Sequence, residues 1–248
     1  PFGSSSPLNV INQLRLWSMD SFGEDLVANV RAGGVYYWDY TNYTNPAVAL
    51  SDLAGANLAP TLGLQVLVSD VDRHVIVLGS DPINSTATAR TGAIDPLLIA
   101  FSDQENIAEW EPTSTNTAGS LRCSAGSQII GGIRARQETL VWTDVALYSL
   151  QFIGAPLTFG LTLLNEGVSM IGPNAPVNTP SGIYWMDKKG FYSYQGAVQP
   201  VPCSVQSYVF DDLNEDQAFQ VFGFLNKQFD EVGWFYCSGT STTIDKYV

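Results

Sequence analysis

The chain has one histidine, His74, beside Arg73 in a segment rich in aliphatic residues. Nucleophilic catalysis needs a nucleophile, a base and an orienting group together. No Ser or Cys stands at a recognisable triad spacing from His74, so it reads as a structural residue. One histidine among scattered acids is an equally poor start for a metal site. Carboxylates are numerous, and Asp70/Asp72 and Asp103/Glu105 are the pairs to be offered as acid and base of a glycosidase. Both pairs fall where hairpin turns are expected, and turns favour Asp for its backbone hydrogen bonds. The turn reading therefore outweighs catalysis. The run Asp211-Asp212-Leu213-Asn214-Glu215-Asp216 carries calcium-type ligands. It lacks the sixth-position glycine and the distal glutamate spacing of an EF-hand loop, so a solvated helix end fits it better. No glycine pattern of the Walker or Rossmann kind occurs. Three cysteines, Cys123, Cys203 and Cys237, lie far apart without a CxxC, as reduced, packed thiols do, and not as a disulfide framework or zinc site does. This reading assigns no catalytic, cofactor-binding or metal-ligating residue, and no enzyme is expected.

The elements that would position any such group are repeats. Residues 170–195 read MIGPNAPVNTPSGIYWMDKKGFYSYQ, and residues 129–151 read IIGGIRARQETLVWTDVALYSLQ. Trp185 aligns with Trp142, Asp187 with Asp144, Tyr192 with Tyr148, Ser193 with Ser149 and Gln195 with Gln151. Ile171-Gly172 matches Ile130-Gly131, and a third copy runs from Phe222-Gly223 to Trp234. The starts are 41 and 51 residues apart. A period of about 40–50 residues with three or four strands per unit predicts a β-propeller of antiparallel blades. Blades are covered on both faces, so their strands should be apolar on both, as Ile183-Tyr184-Trp185-Met186 and Val232–Tyr236 are. Trp142, Trp185 and Trp234 recur with the period and read as packing between blades in preference to sugar-stacking platforms. The segment GGVYYWD, residues 33–39, resembles GIYWMD and suggests an earlier repeat, giving roughly five units. A β-sandwich is the alternative, but it leaves the aligned Trp-x-Asp hairpins unexplained.

Composition supports a packed all-β chain: 45% of residues are apolar, 12% aromatic and only 14% charged. No run of about 18 apolar residues suggests a membrane span. The net charge of −13 and pI near 4.2 oppose tight wrapping of nucleic acid, which needs Lys and Arg against phosphates. They suit a passage through which DNA slides without adhering, and equally an ordinary acidic surface.

In chain order, residues 1–12 read as an arm or linker and 13–248 as the propeller, part of a longer polypeptide. Leu14–Trp17 is a strand candidate, followed by a hairpin of Asp25–Asn29 and Gly34–Trp38. A short helix is expected over Pro46–Ala54. Leu64–Ser69, His74–Ser80, Leu97–Ser102 and Ile107–Glu111 read as strands, with a polar loop over Thr113–Thr117. Ser127–Ala135, Thr139–Thr143 and Leu147–Phe152 follow, and Ala155–Leu163 adds a fourth strand or a cross-connection. Val205–Leu213, capped by Ser204, places Val205, Tyr208, Val209 and Leu213 on one face of an inserted helix. Gln220–Leu225, Glu231–Tyr236 and Lys246–Val248 are the last strands.

Four segments in this order carry a family resemblance. They are LWSMDSFGEDLVANVRAGGVYYWD (16–39), DPLLIAFSDQENIAEWEPTSTNTAGSLR (95–122), GSQIIGGIRARQETLVWTDVALYSLQFIG (126–154) and IYWMDKKGFYSYQGAVQPVPCSVQSYVFDDLN (183–214). The series resembles the β-propeller tail nozzle, or tail hub, of short-tailed bacteriophages, also called tail tubular protein B or packaged-DNA stabilisation protein. The resemblance runs from about Leu14 to Val248. It implies a structural virion protein assembled in the host cytoplasm, with six copies forming a ring below portal and adaptor. Such a ring extends the DNA channel, carries tail fibres or a tip, and retains or guides DNA at ejection. It implies no cofactor and no catalytic residue. A carbohydrate- or host-receptor-binding propeller is the alternative, and a propeller glycosidase comes after it. Asp187-Lys188-Lys189-Gly190 is similar only in outline to the aspartate-box hairpin of sialidases, with a different Asp-to-Gly spacing and no arginine triad.

Overall fold

The computed structural model describes residues 15–70, 72–154 and 156–248. Among them, five antiparallel sheets follow one another as the blades of a β-propeller. Blade 1 holds β1 (Trp17–Phe22), β2 (Asp25–Val30), β3 (Gly33–Trp38) and β4 (Val48–Ala49), with β5 (Leu62–Gly63) pairing the start of β3. Blade 2 holds β6 (Gln65–Val68), β7 (Val75–Leu78), β8 (Leu98–Phe101) and β9 (Gly119–Arg122). Blade 3 holds β10 (Ile129–Arg134), β11 (Thr139–Thr143), β12 (Ala146–Gly154) and β13 (Thr158–Glu166). Blade 4 holds β14 (Val177–Thr179), β15 (Gly182–Met186), β16 (Phe191–Tyr194) and β17 (Val198–Val201). Blade 5 holds β18 (Phe222–Asn226), β19 (Glu231–Tyr236) and β20 (Lys246–Tyr247). A short helix, α1 (Gln206–Phe210), separates blades 4 and 5 and accounts for the longer interval in the repeat.

The repeated tryptophans lie on second strands: Trp142 on β11, Trp185 on β15 and Trp234 on β19. Trp142 on β11 and Trp185 on β15 meet edge to face with ring centroids 5.2 Å apart, and Phe191 meets Trp234 at 5.0 Å. All belong to one cluster that joins blades 3, 4 and 5. A second cluster joins blades 2 and 3 through Leu78, Ile99, Val141 and Leu150. A third joins blades 1 and 2 through Val27, Val35, Val66 and Val77. None of these clusters joins blade 5 to blade 1.

Several elements differ from expectation. The arm at 1–12 lies outside the described residues. Pro46–Ala54 is not a helix: Val48 and Ala49 pair with Tyr37 and Tyr36, and only a 3-10 turn follows at Leu50–Asp52. Tertiary pairing overrides weak local propensity here. Ile107–Glu111 forms no strand. It folds back so that the Asp103 N–H reaches the Glu109 carbonyl, and it buries Trp110, whose indole donates to Ile107 O at 2.7 Å. The fourth strand of blade 2 is β9, just past the polar loop. Trp17 opens β1 and does not close it. In blade 4 the inner strand is interrupted: the Ile171 N–H reaches Met186 O, residues 172–176 loop out, and pairing resumes at Val177. That loop serves blade 5, because Asn174 O accepts from Gly223 N and Ala175 O accepts from the Trp234 indole at 2.7 Å.

Candidate functional site

A cleft of about 330 Å³ opens between blades 2 and 3. The β6–β7 turn supplies Asp70, the end of β10 supplies Arg134, and the β10–β11 turn supplies Arg136 and Glu138. Phe152 and Phe159 form a wall from β12 and β13. Arg134 is held firmly. Its Nη1 lies 2.8 Å from Asp70 Oδ1 and its Nη2 lies 3.3 Å from Asp20 Oδ1, so one guanidinium ties three blades. Asp20 in turn accepts from Val68 N at 2.8 Å. Glu138 accepts from the Ser149 hydroxyl and from Gln151 Nε2. Burial, then the bond to Glu138, pushes the Tyr194 phenol up to about 12, so it stays a neutral donor. The cleft thus presents guanidinium, carboxylate, amide and ring surfaces to one small space, a mixture suited to a polar ligand such as a sugar or peptide.

His74 lies behind the two rings, 5.6 Å from Phe152 and 5.0 Å from Phe159 between centroids, and is fully buried. Its Nδ1 is 2.6 Å from Asp72 Oδ2 and its Nε2 is 2.9 Å from Thr117 Oγ1. The order Asp72–His74–Thr117 is that of a catalytic triad, with a threonine 43 residues downstream that sequence spacing missed. The bonding does not follow the order. Thr117 donates to Asp103 Oδ1 at 2.6 Å and accepts from Gln104 N at 2.9 Å as well as facing His74. The Asp103 carboxylate competes with His74 for the single hydroxyl proton, so the contact is not that of a nucleophile with its base alone. Ser69 donates to Asp72 at 3.1 Å and does not meet the imidazole ring nitrogens.

The remaining sequence candidates have separate partners. Asp70 and Asp72 both line the cleft, but each carboxylate is engaged by its own partner, Asp70 by Arg134 and Asp72 by His74. Glu105 forms an exposed ion pair with Arg73 at 2.7 Å, while Asp103 clamps Thr117. Burial opposes ionisation of Asp103, but the Thr117 hydroxyl and N–H and the Gln104 N–H outweigh it and hold the carboxyl below its ordinary range. Asp187 turns its hairpin, with its N–H on Gly190 O at 2.9 Å and its Oδ1 accepting from Lys188 N at 2.7 Å. In the run 211–216, Asp212 meets Lys246 at 2.5 Å and Asn214 Oδ1 accepts from Asp216 N. Among the described residues no group of three or more His, Cys, Asp or Glu is placed to hold a metal. All three cysteines are free thiols, and burial pushes Cys123 up to about 12.

One pattern escaped sequence reading although its signal was present. Asp81, Asp103, Asp144 and Asp245 each accept both the N–H and the hydroxyl of a Ser or Thr, namely Thr61, Thr117, Ser127 and Ser238. These four of the chain's 24 Asp and Glu residues therefore act as staples.

No family model matches the chain, and no curated protein matches its sequence. Among solved structures it is similar to the extracellular domain of BT4673 from B. thetaiotaomicron, a proposed one-component system, with a TM-score of 0.51 and 12% identity. The alignment covers 90% of this chain and 26% of that one, so the chain spans about a quarter of its length. At this identity the likeness concerns the fold: an all-β chain of five antiparallel sheets arranged as a β-propeller, with a short helix.

Proposed function

We propose that the chain is a structural subunit of a short-tailed phage tail, one copy of a ring that continues the DNA channel below portal and adaptor. The four ordered segments that resemble the tail nozzle family support this reading, as does the propeller fold they imply. The observation that carries it is the order of those four segments along a chain that folds into five successive antiparallel blades. The net charge of −13 keeps a passing duplex from adhering to the wall. Direct contact of Gln65 with both the N–H and the carbonyl of Gly132, each at 2.8 Å, fills the space between β6 and β10. In this reading DNA therefore runs through the middle of the ring of subunits and not along the axis of one propeller. Particle imaging tests it. Rings from the purified chain, and antibody labelling confined to the tail of a virion, are expected. Uniform monomers and no labelling would remove the assignment.

The cleft between blades 2 and 3 favours a second reading, a ligand-binding propeller recognising a carbohydrate or host receptor. The extracellular domain with a similar fold supports it too. A glycan screen decides: specific, saturable binding that is lost on Arg134→Ala or Phe152→Ala would establish the second reading.

A further inference from the structure

One carboxylate of the cleft between blades 2 and 3 has an oxygen to spare. Asp72 lines the cleft and is only 4% exposed. Its Oδ2 accepts from the Ser69 hydroxyl at 3.1 Å and faces His74 Nδ1 at 2.6 Å. Its Oδ1 has no partner among the described residues. A buried carboxylate oxygen without a donor costs free energy that a bound molecule can recover. The ring wall stands on the same cleft. Phe152, 38% exposed, is backed by Phe159 at 5.8 Å and by His74 at 5.6 Å between centroids, so it presents a fixed apolar surface. The protons behind that wall can be counted. Asp103 Oδ1 accepts the Thr117 hydroxyl at 2.6 Å and the Thr117 N–H at 2.7 Å. An ionised carboxylate is an acceptor only, so the hydroxyl proton lies on that contact. Thr117 Oγ1 is then an acceptor towards His74 Nε2, as Asp72 Oδ2 is towards Nδ1. Each ring nitrogen supplies a proton, and the imidazole is the positive partner of Asp72.

We infer that the cleft binds an uncharged pyranose, one hydroxyl of which donates to Asp72 Oδ1 while the sugar ring packs on Phe152. This rests on the second reading, the ligand-binding propeller, and names its ligand class. Charge favours a neutral ligand. Asp70, Asp72 and Glu138 line the cleft with Arg134 and Arg136, and His74 behind the wall brings the balance to zero. Asp70 already has Arg134, Asp72 has His74, and Glu138 accepts from Ser149 and Gln151. Arg136 is exposed, where water and salt screen its charge. A hydroxyl satisfies Oδ1 without adding a charge to this balance. Shape favours a sugar: an apolar ring face with hydroxyl edges matches an aromatic surface beside a buried acceptor. The volume of about 330 Å³ lies at the small end of the roughly 300–1,000 Å³ usual for ligand pockets, which suits a single pyranose.

The experiment is calorimetric titration of the chain with methyl glucoside, galactoside and mannoside, and with glucosamine and glucuronic acid as charged counterparts. Saturable binding of a neutral pyranoside, tighter than that of either charged sugar, is expected. Asp72→Asn is expected to weaken it by about 10–100-fold, the range of a hydrogen bond to a charged group. Monodeoxy derivatives find the same bond from the ligand side: one of them loses as much against the unmodified chain and loses no more against Asp72→Asn. Phe152→Leu keeps an apolar side chain without the ring and is expected to weaken every neutral pyranoside about 2–10-fold. Circular dichroism and melting verify folding; if Asp72→Asn does not fold, the deoxy series on the unmodified chain decides alone. Tighter binding of either charged sugar overturns the inference and leaves the ligand-binding reading standing. So does a neutral sugar indifferent to Asp72→Asn and to every deoxygenation. Absence of binding by all these sugars overturns it too, and an empty glycan screen then removes the ligand-binding reading as well.

Discussion

The junction between blades 3 and 4 and the outer face of blade 5 are built from the same repeat and differ in one respect, the presence of a neighbour. At the junction, Trp142 and Trp185 are fully buried and in contact. On blade 5, Phe222 and Tyr247 stand in the same kind of pleat and are 50% and 72% exposed. The side-chain chemistry is similar, so burial and not residue type decides which aromatics stabilise the fold. An aromatic face contributes to folding only when a second sheet removes it from water; otherwise it is available for association.

The comparison can be broken most directly at Trp185. Trp185→Ala is expected to destabilise the chain by about 3–5 kcal/mol, the range for deleting a buried aromatic, read as a lower urea midpoint. A loss no larger than that at an exposed ring would show that the junction is not packed as described. The staples come next. Asp144→Ala removes the acceptor for the Ser127 N–H and hydroxyl, at 2.8 and 2.6 Å, and should cost about 0.5–1.5 kcal/mol, the net range for a hydrogen bond whose partner water can replace. Its pH dependence has a definite sign. Burial acts against the Asp144 charge, but the bonds from Ser127 and Gln128 outweigh it and hold the carboxyl below its ordinary range. The stabilisation is therefore complete above the unfolded value of about 3.9 and is lost as pH falls through the folded value. Melting temperature should decline more steeply below pH ~4 in the parent than in Asp144→Asn.

A finer distinction lies between the two tryptophans themselves. The Trp185 indole donates to Ser169 O at 2.9 Å, whereas the Trp142 indole has no partner among the described residues. Trp185→Phe should cost about 1 kcal/mol more than Trp142→Phe, since only the former breaks a hydrogen bond. Equal losses in paired urea titrations would contradict that geometry. The smallest effect is expected at Tyr247→Ser, within about 0.5 kcal/mol for a surface change.

The blades were legible because their signals are local. The Trp-x-Asp hairpins place strand, turn and strand within some fifteen residues, and the longer interval before Phe222 announced α1. The cleft was not legible. Arg134 meets Asp70 across 64 residues and His74 meets Thr117 across 43, and no periodicity records such meetings. Ile107–Glu111 was misread as a strand because an apolar residue within a short polar segment cannot reveal whether a ladder or a folded-back loop will bury it; Trp110 took the loop. The aspartate staples lay between these cases: each Asp was visible, but its Ser or Thr partner was recognisable only once the strand order was known. The uncovered faces could not be read because the aromatic pattern of blade 5 is that of any interior blade.

Each sheet is assembled from strands consecutive in the chain; among the described residues none is lent from one end of the polypeptide to a blade at the other. No latch between first and last blade is formed by the described residues. Protection against amide exchange should then be graded, deepest for the backbone of β11, β12 and β15 and shallowest in the outermost blades, which fray first when the solvent turns denaturing.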